Sequence, residues 1–128
     1  MIVGISASSA DIKQQVNPVF GRCPGYIIIE LNGPKIKKLE YVVNEATNSP
    51  SGAGVAAAQT IIKNKVEALI SGNIGPNAFM ILQQNGVKIY TAYNITIKEA
   101  VKMLTEGKLK ESGNASIESK FGMGQGKA

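Results

Sequence analysis

Short apolar runs bounded by turn residues mark the first third of the chain, and from Val55 apolar residues recur at helical spacing. Residues 2–7 read as a short buried strand, β-branched and broken only by Gly4. Residues 8–24 carry Pro, Gly, Asn and Ser and read as a long loop with room for one helical turn. Residues 26–31 (Tyr-Ile-Ile-Ile-Glu-Leu) form a second expected strand. Asn32-Gly33-Pro34 then predicts a tight hairpin, because Asn-Gly tolerates the positive φ such turns need. The returning strand, residues 36–44, carries Lys37, Lys38 and Glu40, charges that suit an exposed sheet edge.

Residues 44–54 are small and polar, another long loop. From Val55 the period changes: Val55, Ala58, Ile62 and Val66 predict a helix, with Ala56, Ala57 and Ile61 widening its stripe. A short strand at residues 68–70 leads to Pro76, well placed to start a helix whose buried face is Ala78, Phe79 and Leu82 and which Gly86 closes. Residues 87–91 predict a further strand. Thr96 and Glu99 match a capping box ahead of a helix that buries Ile97, Ala100, Val101 and Leu104 and ends at Gly107. The order β-β-β-α-β-α-β-α predicts an α/β fold, a three-layer α/β/α domain on a mixed five-stranded sheet with one antiparallel strand. It spans residues 1–107; residues 108–128 lose the apolar period and predict a flexible Gly/Ser/Lys-rich tail.

Composition narrows the function. The longest apolar runs fall far short of the ~20 residues a membrane span needs, so no membrane is expected and the cytoplasm is the default location. The single cysteine, Cys23, allows no internal disulfide and suits a reducing compartment. The net charge is +5, but the lysines are scattered, Arg22 is the sole arginine, and aromatics are few, so nucleic acid is not the expected partner. Histidine is absent, which removes the commonest general base, and Asp11 and Glu45 are the only carboxylates in candidate loops. Metal-assisted phosphoryl chemistry needs several converging carboxylates, so an enzyme is not expected.

Ligands of open α/β sheets collect where strands end and helices begin. Ser51, Gly52 and Gly54 precede one expected helix, and Gly72, Asn73 and Gly75 precede the next. Unpaired amides and the positive end of a helix dipole there suit an anion. Gly52-Ala-Gly54-Val-Ala-Ala57 matches a dinucleotide fingerprint in letters, but it follows a polar loop rather than a buried strand. The loop Phe20-Gly21-Arg22-Cys23-Pro24 contributes two more candidates. Arg22 suits either an anion or a structural salt bridge to Asp11 or Glu45. Cys23 suits either a small buried apolar residue or a thiolate for a soft metal, its Arg22 neighbour favouring the charged form.

Three segments together resemble the dinitrogenase iron–molybdenum cofactor biosynthesis family, the nitrogenase accessory factor-like proteins. They are Asn17-Pro-Val-Phe-Gly-Arg22-Cys-Pro-Gly-Tyr26, Asn48-Ser-Pro-Ser-Gly-Ala-Gly54 leading to Gln59, and Ser71-Gly-Asn-Ile-Gly-Pro-Asn-Ala78. The resemblance implies a ribonuclease-H-like fold lacking that enzyme's carboxylates. It also implies a carrier role in cluster assembly for an iron–molybdenum cofactor precursor or another metal–sulfur cluster, such as the molybdenum–copper sulfide of the small orange proteins. Implied partners are the anionic cluster and cluster-assembly proteins, including a P-loop ATPase; a metal-free module regulating such a partner is the alternative. Many relatives carry histidine where this chain has Val19, and Gly25 interrupts a usual Pro-aromatic pair. The resemblance therefore leaves Cys23 as the metal ligand, with Gly21, Arg22, Ser51, Gly52, Gly54, Gly72, Asn73 and Gly75 around the cofactor. One thiolate anchors a cluster poorly, which implies a homodimer sharing one.

Overall fold

The computed structural model describes residues 1–113. Its elements are β1 (Ile2–Ala7), β2 (Gly25–Asn32), β3 (Lys35–Val43), α1 (Ala53–Lys63), β4 (Ala68–Ser71), α2 (Pro76–Gln84), β5 (Lys88–Thr91) and α3 (Ile97–Thr105). The sheet order is β3-β2-β1-β4-β5; β2 alone runs against the others, pairing antiparallel with β1 and β3. The mixed sheet expected from the element order is the sheet that forms.

Alternation divides the core between two faces. Val3, Ile5, Ile27, Ile29 and Ile70 pack under α3 through Ile97, Ala100 and Val101. On the opposite face Tyr26, Ile28, Leu69 and Ile89 pack under α1 and α2 through Ala57, Ile61, Phe79 and Leu82. The capping box of Thr96 and Glu99 is present at the start of α3. In the β2–β3 hairpin the positive φ falls on Gly33 alone, at 60°. Gly33 and Pro34 are the two turn residues and Asn32 still belongs to β2, so the turn needs a positive φ at Gly33, the ring of Pro34 fixes a negative one, and Asn32 takes no part.

Three local expectations change. Residues 8–24 form no helical turn. Helix α1 starts at Ala53 and buries Ala53, Ala57, Ala58 and Ile61, whereas Val55 and Ile62 are half-buried and Val66 lies beyond its end. The alanines face inward because α1 must sit close to both the sheet and α2, and bulkier side chains fit at the margins. The tail expected from Lys108 begins instead as an added edge. Glu111 bridges Tyr90 and the Ser112 amide donates to Ile89 O at 2.7 Å, since backbone pairing needs no apolar period. The remainder of the expected flexible segment, residues 114–128, lies outside the described residues. Among the described residues no helix is long and apolar enough to cross a membrane.

Candidate functional site

Three loops meet beyond the carboxyl ends of β1 and β4. The first, after β1, is fastened to the loop after β4: the Asn73 amide donates to Pro18 O (2.7 Å) and the Phe20 amide donates to Asn73 O (3.0 Å). Contact is close enough that a Cβ on Gly72 would lie 2.5 Å from Pro18 Cα. The second loop, after β3, is tied to the first by buried Asn44. Its Nδ2 donates to Gly21 O (3.0 Å) and Cys23 O (2.9 Å), while its Oδ1 accepts from the Ala46 amide (3.1 Å). Arg22 completes the tie, donating through Nη1 to Thr47 O (3.0 Å) and Ser49 O (2.8 Å). Arg22 thus forms neither salt bridge expected from sequence; its contacts are neutral carbonyls, and its charge has no carboxylate partner among the described residues.

Between these loops lies a groove of about 400 Å³. It brings together six of the residues expected at a site: Gly21, Arg22, Gly52, Gly54, Asn73 and Gly75. Two helices open into it. Gly52, at φ 73°, caps α1, and Gly75 caps α2; neither helix has a side-chain cap or an acidic residue in its first turn. The first-turn amides of Ala53, Gly54, Val55, Asn77 and Ala78 therefore have no acceptor within their own helices. Their partial positive charge adds to that of Arg22. The Gly21 backbone lies against α1, where a Cβ would sit 3.1 Å from Gly54 N.

Cys23, Ser51 and Gly72 do not line this groove. Ser51 is exposed and uses its carbonyl to accept from Ser49 Oγ (2.6 Å). Gly72 lies beneath Pro18, where its role is close packing. Cys23 is 1% exposed, within the apolar cluster of Phe20 and Tyr26, and its thiol is directed at Phe20 O (3.3 Å) and Gly25 O (3.2 Å). Burial pushes the Cys23 thiol up from its ordinary value, so the neutral form is favoured despite the Arg22 neighbour in sequence. The expected thiolate ligand is thus a packed core residue. The reason for expecting a homodimer around a shared thiolate goes with it.

Burial likewise pushes the Tyr26 phenol up, and its hydroxyl donates to Phe20 O. Both groups have raised values in the fold, so their contribution is complete below the ordinary values, 9.0 for Cys23 and 10.0 for Tyr26, and is lost as pH rises. Urea unfolding should show stability falling from about pH 9 upward, by at most about 1.4 kcal/mol per pH unit per group. Cys23→Ala should flatten that fall. Native Cys23 should also resist iodoacetamide until urea unfolds the chain.

The donor set decides what the groove can hold. Its lining contains no His, Cys, Asp or Glu, and the described residues contain no cluster of three such groups. A bare cation finds no ligand there. An anion finds backbone N–H groups, the Asn73 and Asn77 carboxamides and a guanidinium. The residues therefore fit a negatively charged species gripped by its outer atoms, without a covalent bond to metal. Asn77 was missed in the sequence although it follows Pro76 in the first turn of α2. Asn44 carried no signal, since the two contacts that make it a tie, to Gly21 O and Cys23 O, join segments distant along the chain.

Comparison with known proteins adds context. The family described as dinitrogenase iron-molybdenum cofactor matches residues 1–107. An uncharacterised protein of Methanocaldococcus jannaschii is 37% identical over 99 residues, 77% of this chain and 84% of that protein. The apo form of the orange protein from Desulfovibrio gigas superposes with a TM-score of 0.84 at 28% identity, covering 90% of this chain and 95% of that one. A candidate NifB protein from Thermotoga superposes at 0.72 with 30% identity, covering 86% and 91%.

Proposed function

Because the chain belongs to the dinitrogenase iron-molybdenum cofactor family, we propose that it binds and carries an anionic metal–sulfur cluster, a precursor of an iron–molybdenum-type cofactor, without catalysing a reaction. The observation that carries this reading is the groove, where two uncapped helix N-termini and Arg22 converge and no carboxylate intrudes. The cluster is cargo. Its sulfido atoms accept from the amides of the two helix starts and from Asn73 and Asn77, while Arg22 offsets charge at the rim. Val19, 43% exposed, offers an apolar wall and no ligand. Cargo held this way can be passed on without breaking a protein–metal bond, which suits transfer to an assembly partner in the cytoplasm.

Anaerobic incubation with iron, sulfide and molybdate, followed by gel filtration, metal analysis and absorbance, tests the reading. Molybdenum and sulfide should elute with the protein in a fixed ratio, and Cys23→Ala should retain as much as the wild type. Protein free of metal after this treatment sinks the carrier role. Uptake abolished by Cys23→Ala would restore the thiolate as ligand.

A further inference from the structure

A side chain outside all three loops is bonded to a residue that lines the groove. Tyr93 lies between β5 and α3, and its phenol donates to Asn73 Oδ1 at 2.8 Å. An unrestrained carboxamide can present either its oxygen or its NH2 group, because the two ends have the same shape and differ only in hydrogen bonding. With Oδ1 engaged by the phenol, the end left over is Nδ2, a donor with no acceptor among the described residues. The Asn73 backbone is held as well, by Pro18 O and the Phe20 amide, so the side chain starts from a fixed root. We infer that Tyr93 is a positioning residue that orients the Asn73 carboxamide, so that the groove turns a hydrogen-bond donor rather than an acceptor toward the anionic cargo.

This rests on the carrier reading and gives it a positioning element. In this role Tyr93 acts through Asn73. Because Tyr93 is 47% exposed, removing its hydroxyl should leave the melting temperature within about 2 °C. Without the phenol the carboxamide turns freely, and in part of the population its oxygen faces the anion and repels it.

The probe is tetrathiomolybdate, titrated anaerobically into wild type, Tyr93→Phe, Asn73→Ala and the double variant, read by absorbance and equilibrium dialysis. Tyr93→Phe should weaken binding about 5- to 10-fold in the wild-type background, the loss expected for one hydrogen bond, and less than about 2-fold when Asn73 is already alanine. The Asn73 side-chain amide signals in 15N-labelled protein should shift or broaden in Tyr93→Phe while those of Asn44 stay in place. Wild type that retains no tetrathiomolybdate sinks the carrier reading and the pair's role together. Wild type that binds, with Tyr93→Phe costing equally in both backgrounds or leaving the Asn73 signals unmoved, overturns this inference alone.

Discussion

Gly72→Ala should destabilise the fold by about 3 to 5 kcal/mol and lower its melting temperature by about 12 to 20 °C, although Gly72 has ordinary backbone angles. A Cβ there would lie 2.5 Å from Pro18 Cα and 2.6 Å from Pro18 C, and would also press on Pro18 O. These are backbone atoms, so no rotamer change relieves the clash. Pro18 can retreat only by breaking the bonds from the Asn73 amide to Pro18 O and from the Phe20 amide to Asn73 O. Phe20, 1% exposed, would be dragged with it. Overpacking strain of about 1–3 kcal/mol plus about 1 kcal/mol for each bond gives the total. Gly33→Ala is the contrasting control. Gly33 has φ 60° and a methyl group added to it would meet no atom within 4 Å, so its cost is the left-handed strain alone, about 1 kcal/mol. Thermal and urea unfolding of the two variants would expose any error: equal losses would mean the Pro18 loop yields easily and does not frame the groove.

That contrast shows how much of this protein could be read in advance. Residues whose effect is local were legible. Thr96 and Glu99 close their own capping box, Pro76 starts α2, and the β2 alternation places Ile27 and Ile29 on one face with Tyr26 and Ile28 on the other. Of the glycines before helices, Gly52, Gly54 and Gly75 line the groove and Gly72 does not; an amide at a helix start is left without an acceptor in its own helix wherever the fold puts that helix. Residues whose role depends on the path of a long loop were not legible. Cys23 could be read as a buried residue or as a ligand beside Arg22, and the sequence did not decide, because successive residues of a loop need not face the same way. Its thiol turns to Phe20 O and Gly25 O while the Arg22 guanidinium turns out to Thr47 and Ser49. Asn44 is the converse, an ordinary loop residue in sequence that becomes a buried clasp once Gly21 and Cys23 arrive beside it. The inward face of α1 was legible in part: Ala57, Ala58 and Ile61 face in as expected, but Val55 and Ile62 sit at the margins because small residues win inside positions when two helices and a sheet must approach closely.

Gly54→Ala should move stability and cargo binding in opposite directions. Gly54 lies in the first turn of α1 outside the left-handed region, and a Cβ there would sit 3.4 Å from Ala78 Cβ, an ordinary contact. Alanine at a compatible helical position reduces the freedom of the unfolded chain, so the fold should gain about 0.5–1 kcal/mol. The same methyl projects between the starts of α1 and α2, into the space the cluster needs in order to reach the amides. Losing one or two charge-assisted hydrogen bonds, each about 1.5–3 kcal/mol, should lower cluster affinity by at least about tenfold. Gly54→Val should abolish uptake, at some cost in packing against Ala78. The decisive pair of measurements is urea unfolding and anaerobic reconstitution on the same preparation of Gly54→Ala. A variant that is more stable and still takes up a full complement of molybdenum would place the cargo elsewhere on the molecule, because a general loss of structure could not be blamed. A variant that is more stable yet empty ties binding to the space between the two helix starts, where the backbone itself is the ligand.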